Sequence, residues 1–182
     1  MVRVLDELRQ DHRNMAMILA IVEGQSRLIR EGRIADPEIV ERAMDYSPGY
    51  PDLYHHPKED VLFERIVRRD PTMRDRVERL MQEHRETAQL TRRFADAVRQ
   101  VMLDFAVPRH RFVEVAEAYV AANRRHMQVE EGDIFPAAER LLGENDWTAI
   151  EAAIEQRTDP LLGGVLESRY HSLHNRILQL GG

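Results

Sequence analysis

Apolar residues recur at intervals of three and four through long, heavily charged stretches of this chain, and nowhere alternate one by one over a useful length. That period belongs to helices and not to strands. Prolines and glycines cut the pattern into segments. The first runs from Val2 to about Arg30 and carries Leu5, Leu8, Met15, Leu19 and Val22 on one face, ending at Glu31-Gly32-Arg33. Asp36-Pro37-Glu38 opens the second, with proline at the first helical position. Ser47-Pro48-Gly49-Tyr50-Pro51 interrupts it, and Asp52 to Arg69 resumes it, so residues 36–69 read as one broken arm. Asp70-Pro71 starts the third, which runs to about Asp104. The fourth spans Arg109 to Leu142, with Pro136 marking a bend or a restart near its end. A short helix from Asp146-Trp147 to Arg157 and a last one over about Val165 to Leu180 complete the chain.

Four long segments joined by short turns predict an all-α, up-down-up-down four-helix bundle with short C-terminal helices. The expected organisation is a bundle over residues 1–145 and a helical extension over 146–182, with Trp147 packing the extension on the bundle. No internal repeat of fixed period is evident. With 182 residues the chain suffices for one domain with a substantial core. It has no cysteine, which removes disulfides, thiolate nucleophiles and thiolate metal sites. Its net charge of −6 does not suit a nucleic-acid partner. No apolar run is long enough to span a membrane, and the opening MVRVLDELRQ has no signal-type apolar stretch. The expectation is a cytoplasmic protein, monomeric or homodimeric.

Histidine is the informative residue, with eight copies. Residues three, four and seven apart share a helix face. His12 keeps register with Leu5, Leu8, Met15 and Leu19. His84 keeps register with Leu80, Met81, Ala88 and Thr91, and His126 with Val115, Tyr119 and Ile134. One inward histidine is an ordinary hydrogen-bonded core residue; three on three helices ask for a common cause. The second segment adds His55-His56-Pro57-Lys58-Glu59-Asp60. Glu59 continues into Leu62, Phe63 and Ile66, whereas Asp60 continues into the mixed face of Phe63, Glu64, Val67 and Arg68. This points His55 and Glu59 inward and leaves His56 and Asp60 at the edge or behind. The fourth segment repeats the device with His126 and Glu130, and Glu131 cannot share the His126 face as well. His110 and Glu114 have the same spacing. However, His110 lies roughly 160° around the helix from His126 and about 24 Å along it, so it reads as a terminal surface residue.

Four imidazoles and two carboxylates turned inward from four helices suit a dinuclear iron or manganese site. Unpaired, Glu59 and Glu130 would be costly acids in an apolar core. The bland alternative is a plain bundle with satisfied polar groups. Arg92-Arg93 and Arg124-Arg125 read as solvated faces, the latter pair with an acidic partner as a lesser option. His171 and His174 read as solvent-exposed residues or as packing on the bundle end rather than as ligands.

His55-His56-Pro57-Lys58-Glu59-Asp60-Val61-Leu62-Phe63 resembles the second-helix signature of hemerythrin-like proteins of the bacterial type, the HHE cation-binding domain. His126-Met127-Gln128-Val129-Glu130-Glu131-Gly132-Asp133-Ile134-Phe135-Pro136 is similar to the fourth-helix signature. Asp11-His12 and Glu83-His84-Arg85 match the remaining positions, so that the resemblance covers about residues 5–142. It implies a non-haem centre of two iron ions with an oxo, hydroxo or water bridge. His12, His55, His84 and His126 would be terminal ligands, with Glu59 and Glu130 bridging; manganese or zinc are alternatives. Classical oxygen carriers of this family have a fifth histidine one turn beyond the third-helix ligand. Here that position is Ala88, and four before His84 stands Leu80. His56, Glu83, Tyr119 or a water would have to fill the gap, with Asp60 and Glu131 as further outer or alternative groups. The implied partner is oxygen, peroxide or nitric oxide, in sensing, detoxification of oxidants or iron handling. The alternative is a regulatory module whose metal is structural or sensed, without turnover.

Overall fold

A computed structural model describes residues 3–46, 51–103, 107–154, 173–175 and 179. Helices account for nearly all of them, and no strand occurs among the described residues. Helix α1 spans Arg3–Arg30, α2 Pro37–Tyr46, α3 His56–Arg69, α4 Arg74–Met102, α5 Arg109–Val129, α6 Phe135–Leu141 and α7 Glu144–Ala153. The four-helix bundle is built by α1, the arm α2–α3, α4, and the run α5–α6, as the spacing predicts.

Local chemistry explains the boundaries. Gly32 terminates α1 with φ 73°, a left-handed conformation that a side chain would strain. Asp36 caps α2, its Oδ1 accepting from the Glu38 and Ile39 amides at 3.1 and 3.3 Å. The break expected over 47–51 falls almost wholly outside the described residues. The third segment opens as a short 3₁₀ turn, Pro71–Met73, with Asp70 accepting from the Thr72 amide at 3.0 Å. Helix α7 begins at Glu144, two residues earlier than the sequence suggests, because Asp146 acts from inside the helix. Its Oδ2 accepts from the Gly143 amide at 3.1 Å, tying the first turn to the residue before it. The predicted last helix lies outside the described residues, apart from 173–175 and 179.

The core is two apolar clusters rather than one. One gathers Ile18, Leu19 and Val22 of α1, Ile39 to Tyr46 of α2, Phe94 and Val98 of α4, and Phe112 to Val120 of α5. The other gathers Val4, Leu5 and Leu8 of α1, Leu62, Phe63 and Ile66 of α3, Val77 and Leu80 of α4, Ile134 to Ala138, and Ile150 of α7, with Trp147 packed against it. Between them, all four helical runs turn polar at one level: His12, His55, His56, Glu59, His84, His126 and Glu130 are all buried there.

Candidate metal centre

Two irregular turns set the angular position of the site. A single π-helical turn, Pro51–His55, precedes α3, and another, Glu130–Ile134, separates α5 from α6. Each is followed within two residues by a proline, Pro57 or Pro136, which cannot donate to the preceding turn and clashes with its carbonyl. A widened turn relieves that conflict. It also shifts the helix register. His55 closes the first π turn and His56 opens α3, so both rings face inward, with relative exposures of 0% and 8%. A regular helix would separate them by 100°, which is why the periodicity leaves His56 at the edge.

The buried donors face one another across the bundle. Glu59 Oε1 lies 3.3 Å from His12 Nε2 and 3.2 Å from His55 Nε2, while its Oε2 lies 3.4 Å from His84 Nε2. Glu130 mirrors this: Oε2 is 3.4 Å from His12 Nε2, and Oε1 is 3.5 Å from His84 Nε2 and 3.0 Å from His126 Nε2. Each carboxylate thus offers one oxygen to the His12 side and one to the His84 side. Donor atoms from His12, His55 and Glu59 lie within 4.8 Å of one another, and so do those from His56, Glu59, His84 and His126. His56 stacks on His84 with centroids 4.4 Å apart. Phe135 and Phe63 wall the rings, stacking on His12 at 5.3 Å and on His84 at 5.7 Å.

Apart from the 3.5 Å contact of His84 Nε2 with Glu130 Oε1, these short distances lack hydrogen-bond geometry. His12 Nε2, His55 Nε2, His126 Nε2, both oxygens of Glu59 and Glu130 Oε2 are buried without a hydrogen-bond partner. Leaving so many polar atoms unpaired in an interior is expensive. Nitrogen and oxygen donors aimed past one another at shared points are the arrangement a cation satisfies, and the set is one that first-row metal ions accept.

The other ring nitrogens are fully engaged. His12 Nδ1 meets Glu131 at 3.0 Å, His55 Nδ1 meets Asp11 at 3.1 Å, His84 Nδ1 meets Asp60 at 3.0 Å, and His126 Nδ1 meets Glu83 at 3.0 Å. Asp11 lies 3.9 Å from Lys58 Nζ, and both side chains are buried. The facing carboxylates set the acidity of these rings. Burial works against charge on His12, but Glu130, Glu131 and Glu59 around it raise its pKa to about 11. His84 likewise reaches about 11, against burial, through Asp60, Glu130 and Glu59. Burial would push Glu59 upward, yet the charge on His55 and contacts from His12 and His84 hold it well below the usual carboxylate range. His56 goes the other way. Burial and the neighbouring charge on His84 depress it well below 6.5, so it stays neutral with a lone pair available.

The six residues singled out by periodicity and resemblance, His12, His55, Glu59, His84, His126 and Glu130, therefore come together. Asp60, Glu83 and Glu131 reach the histidines from outside, their side chains 40%, 38% and 37% exposed. Tyr119 is buried in the first apolar cluster against Phe94, with centroids 5.4 Å apart. His110 is exposed near the start of α5, His174 is half-buried, and His171 lies outside the described residues. Arg92 and Arg93 are exposed. Arg124 is exposed too, and its acidic partner is Glu23 of the same chain, at 2.8 and 3.0 Å.

Asp11 as a histidine partner and Lys58 as a buried cation escape the sequence reading. A signal for Asp11 exists. Asp11-His12 and Glu83-His84 stand 72 residues apart, while His55, Glu59 and Asp60 stand 71 before His126, Glu130 and Glu131. The two halves of the site repeat, although the chain around them does not.

Comparison with known proteins agrees with this geometry. The hemerythrin HHE cation binding domain family matches residues 3–138. No curated protein shows a significant match to the chain.

Proposed function

Since this chain belongs to the hemerythrin HHE cation-binding domain family, we propose that its buried centre holds two iron ions and binds or reacts with a small ligand such as oxygen, peroxide or nitric oxide. His12 and His55 would hold one ion, and His84 and His126 the other. Glu59 and Glu130 would span the pair, each contributing one oxygen to either side. His56 would supply a fifth imidazole beside His84 and His126, taking the place that Ala88 and Leu80 cannot fill. An iron pair supplies redox capacity shared between two ions and a coordination place open to a small ligand.

The residues of the chain do the rest. Neutral His56 offers its ring nitrogen without first losing a proton. Phe63 and Phe135 keep the rings from swinging and exclude water on their side. Three imidazoles on one side and two on the other would hold the two ions unequally, leaving the His12–His55 side the less crowded by protein groups.

The observation that carries this reading is the split of both buried carboxylates, oxygen by oxygen, between two groups of histidine nitrogens, of which those of His12, His55 and His126 have no hydrogen-bond partner. Iron reconstitution of the full chain followed by metal analysis tests it. About two irons per chain are expected, with visible absorption in the oxidised form and rapid oxidation of the reduced form by oxygen or peroxide. Less than one iron per chain would end the reading. A stable pair that is inert to oxygen, peroxide and nitric oxide would leave a metal-dependent regulatory module instead.

A further inference from the structure

The four contacts at the Nδ1 atoms form a closed circuit. His12 of α1 reaches Glu131 in the turn after α5. His126 of α5 reaches Glu83 of α4, His84 of α4 reaches Asp60 of α3, and His55 in the turn before α3 reaches Asp11 of α1. Each helical run therefore gives one imidazole to its neighbour and receives one from the neighbour on its other side. All four acceptors are carboxylates, where a backbone carbonyl would serve equally well to fix a ring.

We propose that Asp11, Asp60, Glu83 and Glu131 are positioning residues that set the oxidation-state preference of the bound metal pair, by holding each imidazole with Nε2 inward and strengthening it as a donor. This inference rests on the proposed iron centre. A carboxylate accepting from Nδ1–H draws that proton away, shifts electron density to Nε2 and favours the more highly charged ion. Three of the four acceptors are more than a third exposed and so in contact with water. The fourth, Asp11, is buried, with the buried Lys58 Nζ 3.9 Å away. The circuit is thus unequal. At His55 the carboxylate is shielded from water beside Lys58, and at the other three solvent screens it. Asp11 is expected to weigh most.

The test is a spectroelectrochemical titration of the iron-loaded full chain in wild type and in Asp60→Asn, Glu83→Gln and Asp11→Asn. Glu86→Gln, at an exposed position of α4 that accepts from Gln82 at 3.0 Å, serves as control. An amide keeps the shape and removes the charge. Each ring variant should lower the preference for ferric over ferrous iron by on the order of tenfold, a positive shift of about 59 mV per electron. Iron affinity should fall by about 10- to 100-fold. Asp11→Asn should show the largest change if it folds; the two exposed positions carry the test if it does not. Potentials in Asp60→Asn and Glu83→Gln that coincide with Glu86→Gln would overturn the inference, even if thermal stability dropped. A wild-type chain that takes up no iron would instead overturn the functional reading, and this one with it.

Discussion

The apolar clusters and the polar level between them are equally buried but built on different terms. Around Phe94 and around Phe63, the apolar side chains fill space and are complete in themselves. At the level of Glu59 and Glu130, the side chains are as deeply buried, yet six of their polar atoms have no hydrogen-bond partner. The clusters carry the bundle, and the level between them is poised for something the chain does not encode. The difference teaches that the two regions answer to different things: damage to the clusters should be the same with or without metal and at any neutral pH, and damage to the polar level should depend on both.

The largest effect expected from that separation is the response to Glu59→Leu. Glu59 reaches both donor groups, so its loss should reduce bound metal to less than one ion per chain by elemental analysis. The metal-free variant should keep its helical circular dichroism but lose about 3–5 kcal/mol by denaturant unfolding at neutral pH, because removing one member of a buried charge cluster leaves its partners uncompensated. Phe94→Ala is the converse. It should cost about 3–5 kcal/mol by denaturant unfolding, equally in loaded and metal-free protein. Chelation of the wild type should cost about 4 kcal/mol if free metal stands near 1,000 times the dissociation constant. A wild type that unfolds completely on chelation would break the comparison, since the apolar clusters would then not suffice.

Acidity sharpens the same contrast. In metal-free protein, His12 and His84 keep protons to about pH 11, against 6.5 unperturbed. A raised folded pKa contributes stability that is fully present below 6.5 and is lost as pH rises toward 11. Metal-free protein should therefore lose stability between pH 7 and 10. Metal uptake must displace those same protons and should weaken as pH falls. Thermal melts of both forms across this range, read beside metal affinity, should slope in opposite directions. Parallel slopes would mean that the imidazoles are not competed for by proton and metal.

Most of this arrangement is legible in the sequence, and the exceptions share a cause. The four helical runs, the inward set of six residues and the surface position of His110 all follow from a strict period of 3.6. His56 does not, because the π turn at Pro51–His55 alters the register just before it, and a period says nothing of a turn it does not contain. Asp11 escapes for another reason. On its own helix it is a polar neighbour of His12, and only the approach of His55 from another part of the chain gives it a role. Lys58 is hidden likewise, since a lysine in a charged motif reads as solvated until its burial beside Asp11 is seen. Pairings across helices are a property of packing, and sequence spacing reports only what happens along one helix.

A smaller effect is expected outside both regions, where α7 joins the bundle. Asp146 accepts from Arg69 Nε at 2.8 Å and Nη2 at 2.9 Å, and also from the Gly143 amide. The Arg69 contact holds its carboxyl below the ordinary 3.8. A depressed pKa contributes stability that is present above 3.8 and is lost as pH falls through the folded value. Asp146→Asn should lower Tm by about 2–4 °C at neutral pH and by less in strong acid, without changing bound metal.

The smallest expected effect is at Arg124 and Glu23, which join α5 to α1 by a two-pronged contact of good geometry. Both side chains are exposed, 44% and 53%, so water and salt screen the attraction and ordering two long side chains consumes much of what remains. Arg124→Ala should change stability by less than about 1 kcal/mol, and by less still at high salt. It serves as the reference for the ring carboxylates, being close to His126 in sequence yet outside the circuit. Metal content and reduction potential should match the wild type. If Arg124→Ala moved the potential as far as Glu83→Gln does, the oxidation-state preference would arise from the net charge of the whole surface, and the distinction between the polar level and its surroundings would fail.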